Sequence, residues 1–244
     1  MRLLPLMLLL AAQFPAAGQT NIPARQSLTY NIEWRLITAG KARLEWAARG
    51  PRDGYEVKFH LESVGLVSKL FKVEDDYSAL LNSSLCTQSF HSTTNEGIRH
   101  RDTRVTFDSD TKKGSYLERD SAKNTTLLAR EIEIPPCVHD VVGGLVFLRT
   151  LNLEPGQATN IPVSDGKKAT MARVEAQARE DIKTPAGTFK TVRYELYLFN
   201  NVLYNRSAHL NIWVTDDARR IPVQIRVRLM FTIGTITLAL EKIE

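Results

Sequence analysis

The stretch LTYNIEWRLITAGKARLEWAARGPRDGYEVKFHLES, Leu28 to Ser63, alternates apolar and polar residues with a period of two. Leu28, Tyr30, Ile32, Trp34 and Leu36 fall on one side, and Thr29, Asn31, Glu33 and Arg35 on the other. After Ala39-Gly40 the pattern returns, with Ala42, Leu44, Trp46 and Ala48 opposed to Lys41, Arg43, Glu45 and Arg49. A "PRDG" turn leads to a third run with Tyr55, Val57, Phe59 and Leu61 inward. Successive side chains of a strand point to opposite faces. The pattern therefore predicts three antiparallel strands with one face in a core and one in water.

Beyond this meander, "VGLVSKLFK" breaks the alternation. Leu66, Val67, Leu70 and Phe71 have helical spacing, which predicts a short helical turn at about 65–71. Strands resume through "VEDDYSALLN", "LCTQSFHSTTNEG", "IRHRDTRVTFD" and "KGSYLER". One longer helix is expected at about 138–151, where Val138, Val141, Val142, Leu145 and Leu148 trace an apolar stripe. Pro135-Pro136 suits its start, and Asp140 suits the positive end of its dipole. Gly143-Gly144 weakens a helix, which points to close packing against a sheet. The second half repeats the strand grammar, with turns at Asp165-Gly166, "TPAG" and "DDARR". Residues 168–183 are ambiguous, because their Ala and Glu content also suits a helix. The expected fold is mainly β: a strongly curved antiparallel sheet or open barrel with one covering helix and one short turn.

Residues 1–18 have the layout of a secretory signal peptide. Arg2 opens it, Leu3 to Ala12 form a short apolar run, and Ala16-Ala17-Gly18 make a small-residue cleavage site. A polar lead at 19–26 and a single β-rich domain at 27–244 follow, so the mature chain is expected in the periplasm. The 32 basic residues exceed the 27 acidic ones only slightly and are interspersed with them, which argues against nucleic acid as a partner. Two cysteines, Cys86 and Cys137, read first as a disulfide in an exported chain, with two unpaired thiols or one reactive thiol as alternatives.

"IPPCVHDVV" sets Cys137, His139 and Asp140 close together; the run reads as three structural residues, with a catalytic site left as the alternative if Cys137 precedes the helix. On a helix Cys137 and His139 face apart, and a carboxylate beside a thiol suppresses the thiolate. His60, His91, His100 and His209 are scattered. His91 and His100 could approach across paired strands, but two histidines without a third ligand make a weak metal site. Asp75-Asp76 and Asp216-Asp217 read as strand and turn residues, the latter pairing with Arg219 or Arg220. No catalytic residue, metal ligand or cofactor is assigned.

Five segments, taken in order, resemble the bacterial envelope family catalogued as domain of unknown function 3108. They are "LTYNIEWRLITAGKARLE", "VGLVSKLFKVEDDYSA", "IPPCVHDVVGGLVFLRTLNLEPGQ", "EDIKTPAGTFKTVRYE" and "WVTDDARRIPVQI". The resemblance runs from about Ser27 to Leu240 and implies an exported β-rich domain with no assigned activity. The presence of Cys137 alongside Cys86 implies a subgroup with a bridge.

A curved sheet lined by aromatics would hold a lipid or other apolar molecule. Tyr30, Trp34, Trp46, Phe59 and Trp213 are the candidate lining, with Leu66, Leu70 and Phe71 as a gate. The alternative is an assembly or scaffold protein that meets envelope proteins, or an anionic membrane surface, through outward arginines such as Arg35, Arg43, Arg226 and Arg228.

Overall fold

The computed structural model describes residues 22–35, 37–50, 53–229 and 234–244. The expected signal peptide and Leu36 lie outside them. The first arm of the sheet comprises β1 (Arg25–Trp34), β2 (Ile37–Ala48), β3 (Tyr55–Ser63), β4 (Val73–Leu81), β5 (Thr87–Glu96), β6 (Arg99–Asp108), β7 (Lys113–Asp120) and β8 (Thr125–Glu133). The second comprises β9 (Ala158–Ser164), β10 (Ala169–Thr184), β11 (Gly187–Leu196), β12 (Ala208–Thr215), β13 (Pro222–Leu229) and β14 (Gly234–Ile243). Helix α1 (Gly65–Leu70) joins β3 to β4, and α2 (Val141–Leu148) lies between the arms.

The fourteen strands among the described residues form one antiparallel sheet in the order 8-7-6-5-4-3-2-1-14-13-12-11-10-9. Each arm is a plain meander, and β1 pairing with β14 welds the two together. Leu28, Tyr30 and Ile32 of β1 share an inner face with Leu44 and Trp46 of β2 and Val57 of β3, and all of them are buried. The opening alternation thus appears as expected: charged residues go to water and large apolar ones to the core. The segment 168–183, ambiguous in sequence, is almost wholly taken up by the long strand β10 (Ala169–Thr184).

Helix α2 is shorter than the apolar stripe suggested. Val138, His139 and Asp140 are extended rather than helical. They form a short cross-link between the arms: Thr87 N–H donates to Val138 O at 2.8 Å, His139 N–H to Pro162 O at 3.0 Å, and Ser164 N–H to His139 O at 2.9 Å. A parallel bridge pairs His139 with Val163. Val138 is buried because it belongs to this bridge, so its place in the 3.6-residue stripe was not a helical signal. The Cys86–Cys137 disulfide fastens the same junction.

Gly143 explains how closely α2 seats on the sheet. A Cβ there would sit 2.9 Å from the Leu81 side chain and 3.0 Å from Thr87 Oγ1, so any larger residue must push the helix away. Arg149, just past α2, is buried and stacks 4.4 Å over the Trp46 ring. It donates to the Arg219 and Arg220 carbonyls at 2.7 and 3.1 Å, and burial lowers its pKa to about 10. In an antiparallel meander alternate turns lie at one end. Helix α2 therefore closes the end that carries the β4–β5 loop and the β12–β13 turn. The other end carries the β1–β2, β5–β6 and β9–β10 turns, α1 and the β11–β12 loop.

Candidate functional site

Between α2 and the second arm lies an apolar cavity of about 260 Å³. Its walls come from the same inward alternation that builds the core: Ile161 and Val163 of β9, Val174 of β10, Ile212 of β12, Ile225 of β13 and Leu238 of β14. Helix α2 supplies Val141, Val142, Gly144 and Leu145. Asp140 is the one charged residue of the lining, and its carboxylate is already engaged. Oδ2 accepts from Val142 N–H at 2.7 Å and Gly143 N–H at 2.9 Å, and Oδ1 accepts from Thr87 Oγ1 at 2.7 Å. A carboxylate satisfied in this way serves the helix start and offers little to a ligand.

A second cleft of about 380 Å³ shares Phe59, Asp140, Val141, Val142 and Tyr204 with the first. It leads towards the turn-bearing end, past Leu61, Asp75, Thr94 and Thr103, and under the β9–β10 turn at Asp165 and Lys167. That turn reaches across the open seam onto β6 and β7. Gly166, at φ +86°, makes this approach possible, since a Cβ would lie 2.6 Å from Val105 and 2.8 Å from Tyr116. Lys167 lies 3.5 Å from Glu118 and 5.1 Å from the Tyr116 ring centroid, and Tyr116 donates to Glu118 at 2.7 Å. The Tyr77 hydroxyl is buried without a hydrogen-bond partner. Burial, reinforced by the nearby Asp140 charge, holds its pKa well above the ordinary tyrosine value. Burial likewise raises Tyr204, helped by Asp165 and Asp140. The whole is a pocket with an apolar floor and a mixed polar mouth.

Of the eight residues expected to line or gate such a site, Phe59 lines both clefts. The others lie elsewhere. Tyr30 is buried in the close-packed core and donates to the Pro222 carbonyl at 2.8 Å. Trp46 donates to the Pro23 carbonyl at 3.1 Å beneath Arg149. Trp213 points away from its neighbours Ile212 and Val214, donates to Glu180 at 2.9 Å and lies under Arg226. Each of these aromatics has its polar handle satisfied and its ring filled against neighbours, which fits a packed core. Trp34 is half-buried beside Arg35, at the β1–β2 turn. Leu66, Leu70 and Phe71 are exposed on the rim. The aliphatic lining was missed because inward Ile, Val and Leu of the second arm carry the same pattern as any core strand.

Other candidates resolve into separate local roles. His91 Nε2 lies 2.7 Å from Asp102, whereas His100 Nδ1 meets Asn95 at 2.8 Å, so the two histidines do not form a joint site. Asp75 accepts from Asn95 N–H, while Asp76 pairs with His60 on the other face. Asp217 pairs with Arg219, and Asp216 with Arg179. His139 is buried, donates through Nδ1 to the Leu85 carbonyl at 3.0 Å and stacks on Phe147. With Cys137 in a disulfide, Cys137, His139 and Asp140 have three structural roles. No group of three or more metal-capable side chains occurs among the described residues. Among the same residues no helix is long and apolar enough to cross a membrane.

A family model described as protein of unknown function DUF3108 matches residues 29–241. The chain belongs to the DUF3108 family. No curated protein matches it. Among solved structures, this DUF3108 chain is similar to a β-barrel-like protein of domain of unknown function DUF1849 from Brucella abortus. The identity is 7% and the TM-score 0.56, over 91% of this chain and 97% of that one. A candidate exported protein of Bacteroides fragilis with a YmcC-like fold is 12% identical, with a TM-score of 0.39 over 90% and 95% of the two chains. The Brucella protein shows a shared β-barrel-like fold.

Proposed function

We propose that this DUF3108 chain is an exported, non-catalytic binding protein that holds a lipid or other apolar molecule between α2 and the second arm of the sheet. The observation supporting this is the apolar cavity of about 260 Å³, which shares Phe59, Asp140, Val141, Val142 and Tyr204 with a cleft of about 380 Å³ that reaches the end carrying α1 and the β9–β10 turn. Protein interiors seldom leave voids larger than a water molecule, and small-molecule pockets occupy about 300–1,000 Å³, a range the inner cavity reaches only together with the adjoining cleft. The only charged lining residue of the inner cavity is committed to the helix cap, so burial of apolar surface would drive binding there. Export is supported by the signal-peptide layout of residues 1–18 and by the Cys86–Cys137 disulfide, which suits an oxidising compartment.

Titration with an environment-sensitive apolar fluorophore tests this reading. Saturable binding at about one site per chain, displaced by a long-chain fatty acid, is the expected result. Fluorescence that rises without saturation and resists displacement would contradict it.

A further inference from the structure

Eight large hydrophobic side chains are exposed among the described residues. Five of them, Ile37, Leu66, Leu70, Phe71 and Ile98, lie on the end of the sheet towards which the cleft leads. They are neighbours as well as end-mates. Val64 N–H donates to Ala39 O, which sets α1 beside the start of β2. Gly97 N–H donates to Lys72 O, which sets the β5–β6 turn beside the end of α1. Leu66 is 64% exposed, Leu70 78% and Ile98 100%, and α1 buries none of its residues. Within this six-residue helix only Val67 and Ser68 are half-buried, so its large Leu66 and Leu70 side chains receive little support from the fold.

The polar residues around this rim narrow the choice of partner. Between Val64 and Val73 the only charged residues are Lys69 and Lys72, and Arg99 follows Ile98 directly. Glu74 pairs with Lys72 and Glu96 with Arg99, so electrostatic attraction is secondary to the apolar side chains. The apolar groups project from separate short segments and do not form one flat sheet face. Large apolar tips bordered by Lys69 and by the ion pairs Lys72–Glu74 and Arg99–Glu96 suit a bilayer interface. There the tips enter the acyl boundary and the long basic stems reach the headgroups. The strands that enter and leave α1 contribute Leu61 and Asp75 to the cleft lining, so the rim and the mouth are adjacent.

We infer that this rim is a membrane-docking surface, which seats the protein on a lipid bilayer with its cleft mouth at the headgroup level. This goes beyond the binding reading: the rim is defined by its own exposed residues, whatever the cleft holds.

Flotation of the mature chain with vesicles of phosphatidylethanolamine and phosphatidylglycerol tests the inference. The comparison is with a Leu70→Glu, Ile98→Glu double variant, whose fold is checked by circular dichroism. Wild type should float with the vesicles, and the variant's partitioning should fall about tenfold or more. The folded variant should still bind the apolar fluorophore in solution, which separates docking from cleft binding. Wild-type protein left at the bottom of the gradient, or a variant that floats equally well, would overturn the docking surface.

Discussion

Thr87 and Asp140 hold each other in both directions: Thr87 Oγ1 donates to Asp140 Oδ1 at 2.7 Å, and Asp140 N–H donates back to Thr87 Oγ1 at 3.0 Å. One residue begins β5 and the other caps α2, so this pair joins the first arm to the helix that closes the sheet.

Replacing Asp140 by alanine removes the helix cap and leaves a buried hydroxyl and two N–H groups without their acceptor. The expected loss is about 2–4 kcal/mol, from a cap worth roughly 1 kcal/mol and buried charge-assisted hydrogen bonds of similar or greater size. Urea denaturation of Asp140→Ala against wild type measures it. A change below about 0.5 kcal/mol would mean the junction is held by other contacts.

The Cys86–Cys137 bridge spans 51 residues. In the chain-entropy model such a loop contributes about 4 kcal/mol. Thiol titration of the denatured, unreduced protein should find no free thiol. The Cys86→Ala, Cys137→Ala double variant should melt well below wild type.

Gly143 and Gly144 should respond in opposite ways. Gly143→Ala forces a Cβ against Asp140, Leu81 and Thr87 and should destabilise the fold. At Gly144 a Cβ meets only the His139 Cβ at 4.0 Å, and the position lines the apolar cavity. Gly144→Leu should therefore keep or slightly raise stability, since glycine costs a helix interior about 1 kcal/mol. It should also exclude the apolar fluorophore. Unchanged fluorophore binding in Gly144→Leu would place the ligand elsewhere.

His139 should make stability fall on mild acidification. Burial lowers its pKa below the ordinary value of 6.5. The unfolded chain therefore binds this proton before the folded one does, and stability rises with pH in that interval. The contribution is complete above about pH 6.5 and is lost as pH drops towards the lowered folded value. Urea midpoints measured from pH 7.5 to pH 5 should decline in wild type and decline less in His139→Gln. Parallel slopes would assign the effect to other groups.

The meander of β1 to β3 was legible because each strand has one wet face, so Leu28, Tyr30 and Ile32 alternate cleanly with Thr29, Asn31 and Glu33. The disulfide was legible from an even cysteine count in a chain with a signal-peptide layout. The limits of α2 were not, because Val138 is apolar for its place in the cross-arm bridge and falls into helical register by coincidence of spacing. The cavity was hidden for a related reason. Whether Ile161, Val174 and Ile225 meet a neighbour or a void depends on where α2 stops, and periodicity carries no such information. Aromatic residues drew attention as lining, yet large rings with satisfied polar atoms fill space efficiently, and Tyr30 and Trp46 do so here.

Native mass spectrometry of the protein, purified without detergent from the cells that make it, tests the central claim most directly. The account predicts a chain carrying one apolar molecule, released on denaturation and absent from Gly144→Leu. A bare chain mass, unchanged after incubation with envelope lipids, would contradict it.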